Sequence, residues 1–318
     1  MDLKEKVVLV TGGDGFIGSH LVKKLVELKS KVIVVDNNVT SIPRNTEYES
    51  VTHNNCSIEN VDLSRIPKVD YIFHFASVAS PLVYKNDFNN VYGPNVLGTM
   101  KMIELAKRDN CRLIYASTSE VYGMLSDEYA EDGIKEDSIA RCHLLTPRSI
   151  YASSKRMGEE LILNYKDNGG DAINIRFFNV YGDNMDIVNT GYGRVIPNFI
   201  NGIKEYNKIT IFGDGKQIRS FLWIGDAVDA LTKLMNYDET LPNALNIGNA
   251  ESISVIDLAN LLFDLLNKES PIQYKTIDKD DPLWRKPNID LIRSLLQWNP
   301  KVDIVTGLKM IIGGNINE

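Results

Sequence analysis

A glycine-rich turn that directly follows a run of β-branched residues constrains the fold more than any other feature of this chain. Residues 7–10 (VVLV) predict a buried strand, and Gly12, Gly15 and Gly18 follow it with GxxGxxG spacing. From residue 16 to residue 28, apolar side chains then recur at helical spacing. Glycines at such a turn let the backbone and the helix N-terminus approach a pyrophosphate. The spacing therefore predicts a dinucleotide-binding strand–turn–helix unit.

Further apolar runs alternate with helical patterns through the first half of the chain. Continuous apolar strands separated by helices indicate a parallel sheet that is covered on both faces. The predicted strands after the first are 31–35, 71–75, 112–116 and 172–176, and the helix candidates lie around 96–109 and 151–167. After about residue 180 the pattern becomes less regular and richer in Pro, Gly and Asn, which predicts a smaller second domain.

Asp36, at the end of the second predicted strand, indicates which dinucleotide is bound. A carboxylate at this position accepts hydrogen bonds from a ribose diol and repels a 2′-phosphate. The sequence therefore predicts NAD rather than NADP as the cofactor.

Tyr151 and Lys155 have the YxxxK spacing that places both side chains on one face of a helix. An ammonium beside a phenol favours the phenolate, and such a phenol can take a proton from a sugar hydroxyl while hydride leaves for a nicotinamide. Thr118 and Glu120 follow another predicted strand, at the end where open α/β sheets bind ligands. Together these residues predict a redox active site.

Composition excludes several other classes of protein. The formal charge of -7 and the pI near 5.3 argue against a nucleic-acid partner. The four histidines and three cysteines lack HExxH or CxxC spacing, so we expect no metal site. We expect reduced thiols in a cytoplasmic protein without a signal peptide, and no apolar run approaches the roughly 18 residues of a membrane span.

As a set, the motifs resemble the extended short-chain dehydrogenase/reductase family, specifically its nucleotide-sugar epimerases, dehydratases and decarboxylases. The resemblance implies a Rossmann-like doubly wound parallel sheet over residues 1–180 and a smaller C-terminal α/β substrate domain over 181–318. A segment near 220–237 is expected to pack back on the first domain. The motifs lie at 11–21, 35–37, 74–77, 95–99, 117–123, 151–155, 176–182, 212–221 and 246–248.

The resemblance also implies a tightly held NAD, reduced and reoxidised within one turnover, and a homodimer. Tyr151 is expected to act as the base, Lys155 to tune it, Thr118 to hydrogen-bond the C-4 oxygen and Glu120 to orient the sugar or help protonate C-5. The expected NAD contacts are Gly12, Gly15, Phe16, Ile17, Gly18, Asp36, Asn37, Ser57, Ile58, Ala76, Ser77, Asn95, Tyr151, Lys155 and Phe178.

Residues 117–123 (STSEVYG) resemble the decarboxylases that act on UDP-glucuronate. Oxidation at C-4 followed by loss of carbon dioxide, giving UDP-xylose or its 4-keto form, is the leading hypothesis. A nucleotide-sugar 4-epimerase or 4,6-dehydratase is the alternative, and a non-catalytic NAD-sensing Rossmann protein is the third. The expected partner is a nucleotide-diphosphate sugar, contacted by Ser80, Pro81, Tyr84, Thr118, Asn179, Phe212, Arg219 and Arg285.

Overall fold

A parallel β-sheet forms the centre of the fold in the computed structural model. Residues 3–41, 48–79, 88–125, 131–142, 149–183, 185, 194–277 and 281–313 are described. The seven strands of this sheet are β1 Val7–Thr11, β2 Lys31–Asp36, β3 Val51–Asn55, β4 Tyr71–His74, β5 Arg112–Thr118, β6 Ala172–Phe177 and β11 Ala244–Ile247. Their spatial order is β11-β6-β5-β4-β1-β2-β3, which confirms the predicted Rossmann-like doubly wound arrangement.

In the described part of the chain, seven shorter strands lie outside this sheet and pair among themselves. They are β7 Val180–Tyr181, β8 Ile209–Phe212, β9 Ile218–Arg219, β10 Leu222–Trp223, β12 Ile253–Ser254, β13 Ile272–Lys275 and β14 Trp284–Arg285. Of these, β9 lies between β12 and β14, while β7 pairs with β10 and β8 with β13.

Helices follow most strands of the central sheet. The α-helices described are α1 Phe16–Glu27, α2 Asn89–Tyr92, α3 Thr99–Asp109, α4 Ser149–Asp167, α5 Val195–Asn201, α6 Ile224–Met235, α7 Val255–Leu266, α8 Asp290–Leu296 and α9 Ile304–Gly313. Short 3-10 turns cover Ile58–Asn60, Leu63–Arg65 and Ser119–Tyr122, and π-helical turns cover Gly93–Gly98 and Gly202–Tyr206. The helix predicted around 96–109 is therefore π-helical before α3 begins.

The interior strands form because their β-branched and aromatic side chains are buried on both faces of the sheet. Residues 8–10 of β1 and 113–114 of β5 are fully enclosed. Strand β3 was not predicted, because its sequence, VTHNN, lacks a continuous apolar run. Among the described strands it pairs only with β2, and it lies at the edge of the sheet, where polar side chains are tolerated.

The chain divides into two compact units, each assembled from three segments. The first comprises Met1–Val121, Pro147–Phe177 and Val228–Leu245. The second comprises Tyr122–Thr146, Phe178–Ala227 and Asn246–Glu318. The sequence prediction placed a boundary after residue 180 and expected a segment near 220–237 to pack back on the first domain; in the structure, Val228–Leu245 belongs to the first unit.

Each unit has its own apolar core. In the first unit, side chains of β1, β4 and β5 pack with those of α3 and α4 in one buried cluster, which includes Leu9, Leu105 and Ile162. In the second unit, α5 and α7 pack over β8, with Phe199, Leu258 and Leu308 enclosed. Within the described ranges, no helix is both long and apolar enough to cross a bilayer.

Candidate functional site

The turn between β1 and α1 brings backbone atoms closer together than side chains would allow. Gly12 has a φ of +68°, and a Cβ on it would lie 2.7 Å from the amide nitrogen of Ala76. A Cβ on Gly18 would lie 2.1 Å from the carbonyl oxygen of Gly12. Gly15 precedes α1. The first residues of this helix, Phe16 and Ile17, carry N–H groups that have no acceptor within the helix. The turn thus offers an open backbone surface and a helix N-terminus, as a pyrophosphate requires.

Asp36 ends β2 beside this turn, and its carboxylate is already oriented by protein donors. Its Oδ2 accepts a hydrogen bond from the Asp14 amide at 3.1 Å, and its Oδ1 accepts from the Asn38 amide at 2.9 Å and the Ser41 hydroxyl at 3.0 Å. Burial raises the pKa of Asp36, and these donors oppose that shift by stabilising the charged form. The carboxylate is thus held at a fixed position for a diol ligand.

The neighbouring predicted cofactor residues lie in the same unit. Asn37 donates through Nδ2 to the Ser57 hydroxyl at 3.0 Å, and the buried Ile58 follows directly. The Ala76 amide donates to the Thr11 hydroxyl at 3.1 Å. The Ser77 hydroxyl oxygen is buried and has no hydrogen-bond partner within the described part of the chain.

These features fit NAD on two structural grounds. The backbone at Gly12 and Gly18 is packed too closely for any Cβ, which leaves the turn without side chains at these positions, and the Ser77 hydroxyl is a buried polar atom that needs a partner. The Asp36 carboxylate adds an acceptor suited to a ribose diol.

Lys155 lies on α4 with only 2% of its surface exposed. Its Nζ donates to the carbonyl of Ala116 at 2.6 Å and lies 4.9 Å from the centre of the Tyr115 ring. Burial lowers the pKa of Lys155 to about 7, while the negative charge of Glu159 raises it. Lys155 is therefore a buried amine that can change protonation state near neutral pH.

The other predicted catalytic residues lie on α4, as Lys155 does, or at the end of β5 and just after it. Tyr151 lies one turn earlier on α4, half-buried, and its carbonyl accepts from the Ser154 hydroxyl at 2.9 Å. Thr118 ends β5, and its hydroxyl accepts from the Glu120 amide at 3.2 Å. Because Ala116 and Thr118 belong to one strand end, β5 presents both the Lys155 acceptor and the threonine hydroxyl.

A buried polar network, which sequence reasoning missed apart from Asn95, supports these elements. Burial lowers the pKa of His74 to about 3, so the imidazole is neutral. Its Nε2 lies 3.2 Å from the Pro94 carbonyl, an acceptor, so Nε2 carries the proton and Nδ1 accepts from Thr11 at 2.7 Å. Asn95 donates to the Ser154 hydroxyl at 3.0 Å and so joins the π-helical turn to α4.

Glu159, one turn after Lys155 on α4, forms an ion pair with Arg176 that the sequence analysis did not predict. The Arg176 guanidinium donates to both oxygens of the Glu159 carboxylate, through Nε at 2.9 Å and through a terminal nitrogen at 2.7 Å. The spacing of Lys155 and Glu159, four residues apart on one helix, was the available signal for Glu159.

Two predicted substrate residues of the second unit lie on neighbouring strands, Arg219 on β9 and Arg285 on β14. Arg219 and Arg285 are register partners in this parallel pair. The Arg219 guanidinium donates to the Asp281 carboxylate at 2.9 Å, with both side chains largely buried. Arg285 is buried and donates to the Gly123 carbonyl at 3.4 Å. Two neighbouring guanidiniums suit an anionic ligand.

The remaining predicted residues of the second unit are more dispersed. Phe178 is fully buried, and its ring centre lies 6.0 Å from that of Tyr122. Asn179 adopts a φ of +33° and donates through Nδ2 to the Ser220 carbonyl at 2.9 Å. Phe212 ends β8 and is partly exposed. Ser80, Pro81 and Tyr84 lie outside the described residues.

No group of three or more His, Cys, Asp or Glu side chains is arranged to hold a metal ion in the described ranges.

Comparison with known proteins connects this geometry to named families. A model of the NAD dependent epimerase/dehydratase family matches residues 8–248. UDP-glucuronic acid decarboxylase 1 of Arabidopsis thaliana is 36% identical over 313 residues, which cover 96% of this chain and 68% of the relative. UDP-glucuronic acid decarboxylase 1 of Danio rerio is 36% identical over 310 residues, covering 96% and 72%.

Among solved structures, UDP-glucuronic acid 4-epimerase of Bacillus cereus, in complex with UDP-glucuronic acid and NAD, superposes with a TM-score of 0.85. That similarity covers 95% of this chain and 96% of the epimerase, at 26% identity.

Proposed function

The chain belongs to the NAD dependent epimerase/dehydratase family, and on this premise we propose that it oxidises UDP-glucuronate at C-4 and then decarboxylates it. The observation that carries the proposal is the buried Lys155, one turn from Tyr151 and hydrogen-bonded to the end of β5 that presents Thr118. The choice of substrate is supported by the relatives named UDP-glucuronic acid decarboxylases.

The bond chemistry explains why this small set of residues is sufficient. Oxidation at C-4 creates a ketone β to the C-5 carboxylate, and a β-keto acid loses carbon dioxide readily because its electrons move into the carbonyl. The protein then needs to remove one proton, orient the carboxylate and reprotonate C-5. The product is UDP-xylose, or its 4-keto form if hydride is not returned.

We assign the proton transfer to Tyr151, which takes the proton of the 4-hydroxyl. The Lys155 ammonium favours the phenolate of Tyr151, and Thr118 donates to the C-4 oxygen as the ketone develops. Glu120 orients the sugar or helps to protonate C-5. The β1–α1 turn and Asp36 would hold NAD, which would supply the hydride acceptor for C-4.

The open turn formed by Gly12, Gly15 and Gly18 is our proposed binding surface for the NAD pyrophosphate, with Asp36 on the adenosine ribose. The other proposed NAD contacts are Phe16, Ile17, Asn37, Ser57, Ile58, Ala76, Ser77, Asn95, Tyr151, Lys155 and Phe178.

For the nucleotide sugar, we propose that Arg219 and Arg285 bind the anionic groups, since a guanidinium pairs well with a diphosphate or a carboxylate. Asn179 contacts the diphosphate and Phe212 stacks on the base. Ser80, Pro81 and Tyr84 complete the proposed substrate set.

The test is incubation of the purified protein with UDP-glucuronate and NAD, with the nucleotide sugar followed by mass spectrometry. Loss of carbon dioxide supports the proposal. A product that keeps the carboxylate with inverted C-4 identifies a 4-epimerase, the activity named for the superposed Bacillus cereus structure. Turnover of a neutral hexose nucleotide with loss of water identifies a 4,6-dehydratase. Any of these products excludes a non-catalytic NAD sensor.

We also propose a homodimer, on the basis of an exposed apolar face in the first unit. Leu97 and Met100, on the π-helical turn and α3, and Met157 on α4 expose about half of their surfaces. Such a face is typical of a protein–protein contact. The free thiols of Cys56, Cys111 and Cys142 support a proposed cytoplasmic location.

A further inference from the structure

Glu159 is a carboxylate with only 6% of its surface exposed, on a helix that also carries the proposed catalytic pair. A charged group this deeply buried is costly unless it is paired and hydrogen-bonded. The bidentate contact with Arg176 supplies the pairing, and the Ser117 hydroxyl adds a hydrogen bond to Oε1 at 2.5 Å. The position of Glu159 is therefore fixed from two strands.

Those two strands are β5 and β6, which are neighbours in the sheet. Ser117 and Arg176 are register partners, so one carboxylate joins α4 to both strands at the same level. Ser117 lies between Ala116, whose carbonyl accepts from Lys155, and Thr118. Helix α4 thus holds the end of β5 through Lys155 and, one turn later, through Glu159.

Glu159 is also the carboxylate whose charge acts on Lys155 within the described part of the chain. Two other ionisable groups lie near the Lys155 amine in the described residues, His74 of β4 and Tyr115 of β5. His74 is neutral, and burial raises the pKa of Tyr115, so that phenol is neutral too. The Arg176 guanidinium pairs with Glu159 and so offsets part of the charge of that carboxylate. Glu159 therefore provides the negative charge that favours protonated Lys155.

We propose that Glu159 is a positioning residue that keeps Lys155 protonated and holds the end of β5 against α4. This inference rests on the proposed function, in which the Lys155 ammonium assists Tyr151. If so, loss of the Glu159 charge makes the phenolate form of Tyr151 less favourable, although no group that touches the substrate has been removed.

The test compares Glu159→Gln with the wild-type protein, both saturated with NAD. Lysine labelled with ¹³C at Cε allows NMR to follow the pKa of Lys155, and the spectrum of Lys155→Met identifies its signal. We expect the pKa of Lys155 in Glu159→Gln to fall by about one unit and kcat to fall about tenfold, with KM close to the wild-type value.

Two matched variants separate charge from packing. Glu160→Gln removes a carboxylate from an exposed position on the same helix and should leave both quantities unchanged. Ser117→Ala removes one hydrogen bond but no charge and should leave the pKa of Lys155 unchanged. If Glu159→Gln does not fold because Arg176 is left buried without its partner, the double variant Glu159→Gln/Arg176→Met removes both charges, and a smaller fall in the pKa of Lys155 is expected because Arg176 no longer opposes the ammonium.

The inference is overturned if the variant that lacks the Glu159 charge folds and its Lys155 pKa is unchanged. This holds even if kcat falls, because a residue with a purely structural role would give the same result. The NMR titration needs no substrate. A protein that shows the expected pKa change but does not decarboxylate UDP-glucuronate would contradict the proposed function alone.

Discussion

The Nζ of Lys155 donates a hydrogen bond to the carbonyl of Ala116 at 2.6 Å, in a site where water has almost no access. A backbone carbonyl stabilises an ammonium only partly, and burial therefore lowers the pKa of Lys155 to about 7. The position of this amine and its readiness to lose a proton come from the same packing.

The burial of Lys155 predicts a particular pH dependence of stability. Between pH 7 and the ordinary lysine value of 10.5, the unfolded chain binds more protons at this position than the folded protein does. The free energy of unfolding of the wild type should therefore rise with pH relative to Lys155→Met, by about 2–3 kcal/mol from pH 7 to pH 9. Below pH 7 the difference should stay constant. Urea titrations of both proteins across this range measure it, and a flat difference would mean that Lys155 is not desolvated.

Removal of the Tyr151 hydroxyl should abolish turnover. Tyr151→Phe keeps the ring, so the fold and NAD affinity should be retained while kcat falls by a factor of at least about 100, as expected for loss of a general base. Steady-state assays with UDP-glucuronate and calorimetric titration with NAD measure the two effects. Tyr165→Phe, on the same helix, serves as the control and should keep full activity. Substantial activity in Tyr151→Phe would show that another group is the base.

Two glycines of the β1–α1 turn should respond differently to the same substitution. Gly18→Ala should lower the free energy of unfolding by about 1–3 kcal/mol, because its Cβ would lie 2.1 Å from the Gly12 carbonyl oxygen. At Gly15, the nearest atom, the Gly12 carbonyl oxygen, would be 3.2 Å away, so Gly15→Ala should lower the NAD-free stability by less than Gly18→Ala does. Both substitutions should weaken NAD binding, since either methyl group presses on the Gly12 carbonyl and shifts the backbone of the proposed pyrophosphate surface. Chemical denaturation without NAD and calorimetry with NAD separate these effects, and equal stability losses would contradict the geometry.

Arg219 should contribute to affinity for the nucleotide diphosphate. Arg219→Met should weaken UDP binding at least about tenfold, since it removes a charge-assisted contact. Lys216→Met removes the same charge from the preceding exposed loop and should have little effect. Isothermal titration with UDP tests the pair of variants, and equal affinities would remove Arg219 from the substrate site.

The apolar face on α3 and α4 predicts the oligomeric state. Met100 is 53% exposed and Met157 is 51% exposed, so Met100→Glu/Met157→Glu should convert the proposed dimer to a monomer. Ile139→Glu changes an even more exposed apolar residue in the second unit and should leave the dimer intact. Sedimentation velocity distinguishes the species. A wild type that sediments as a monomer at micromolar concentration would contradict the dimer.

The sequence predicted the elements whose signals are local. The apolar run before Gly12 and the YxxxK spacing of Tyr151 and Lys155 each depend on neighbouring residues, and strand β1 and helix α4 lie where those patterns indicate. Strand β3 was missed because Thr52 and His53 are polar, and its place in the sheet depends on pairing with β2 rather than on its own hydrophobicity.

The contacts that fix charge in the candidate site could not be predicted in the same way. Arg219 and Asp281 are 62 residues apart, and no spacing rule relates them. Ser117 and Glu159 meet only because α4 packs on β5. The pKa of Lys155 depends on such long-range packing, so the sequence could identify the amine but not its degree of burial.

The position of β11 in the sheet affects how the protein can fold during its synthesis. Residues 244–247 lie beside β6, although about 70 residues of chain, largely in the second unit, separate the two strands. Until that strand has been synthesised, β6 has an unpaired edge that is open to association with other chains. A fragment that stops near residue 180 would keep that edge permanently. The sheet of the nucleotide-binding half is therefore complete only when β11 is present. Truncation at the apparent domain boundary should yield an aggregating protein rather than an isolated domain.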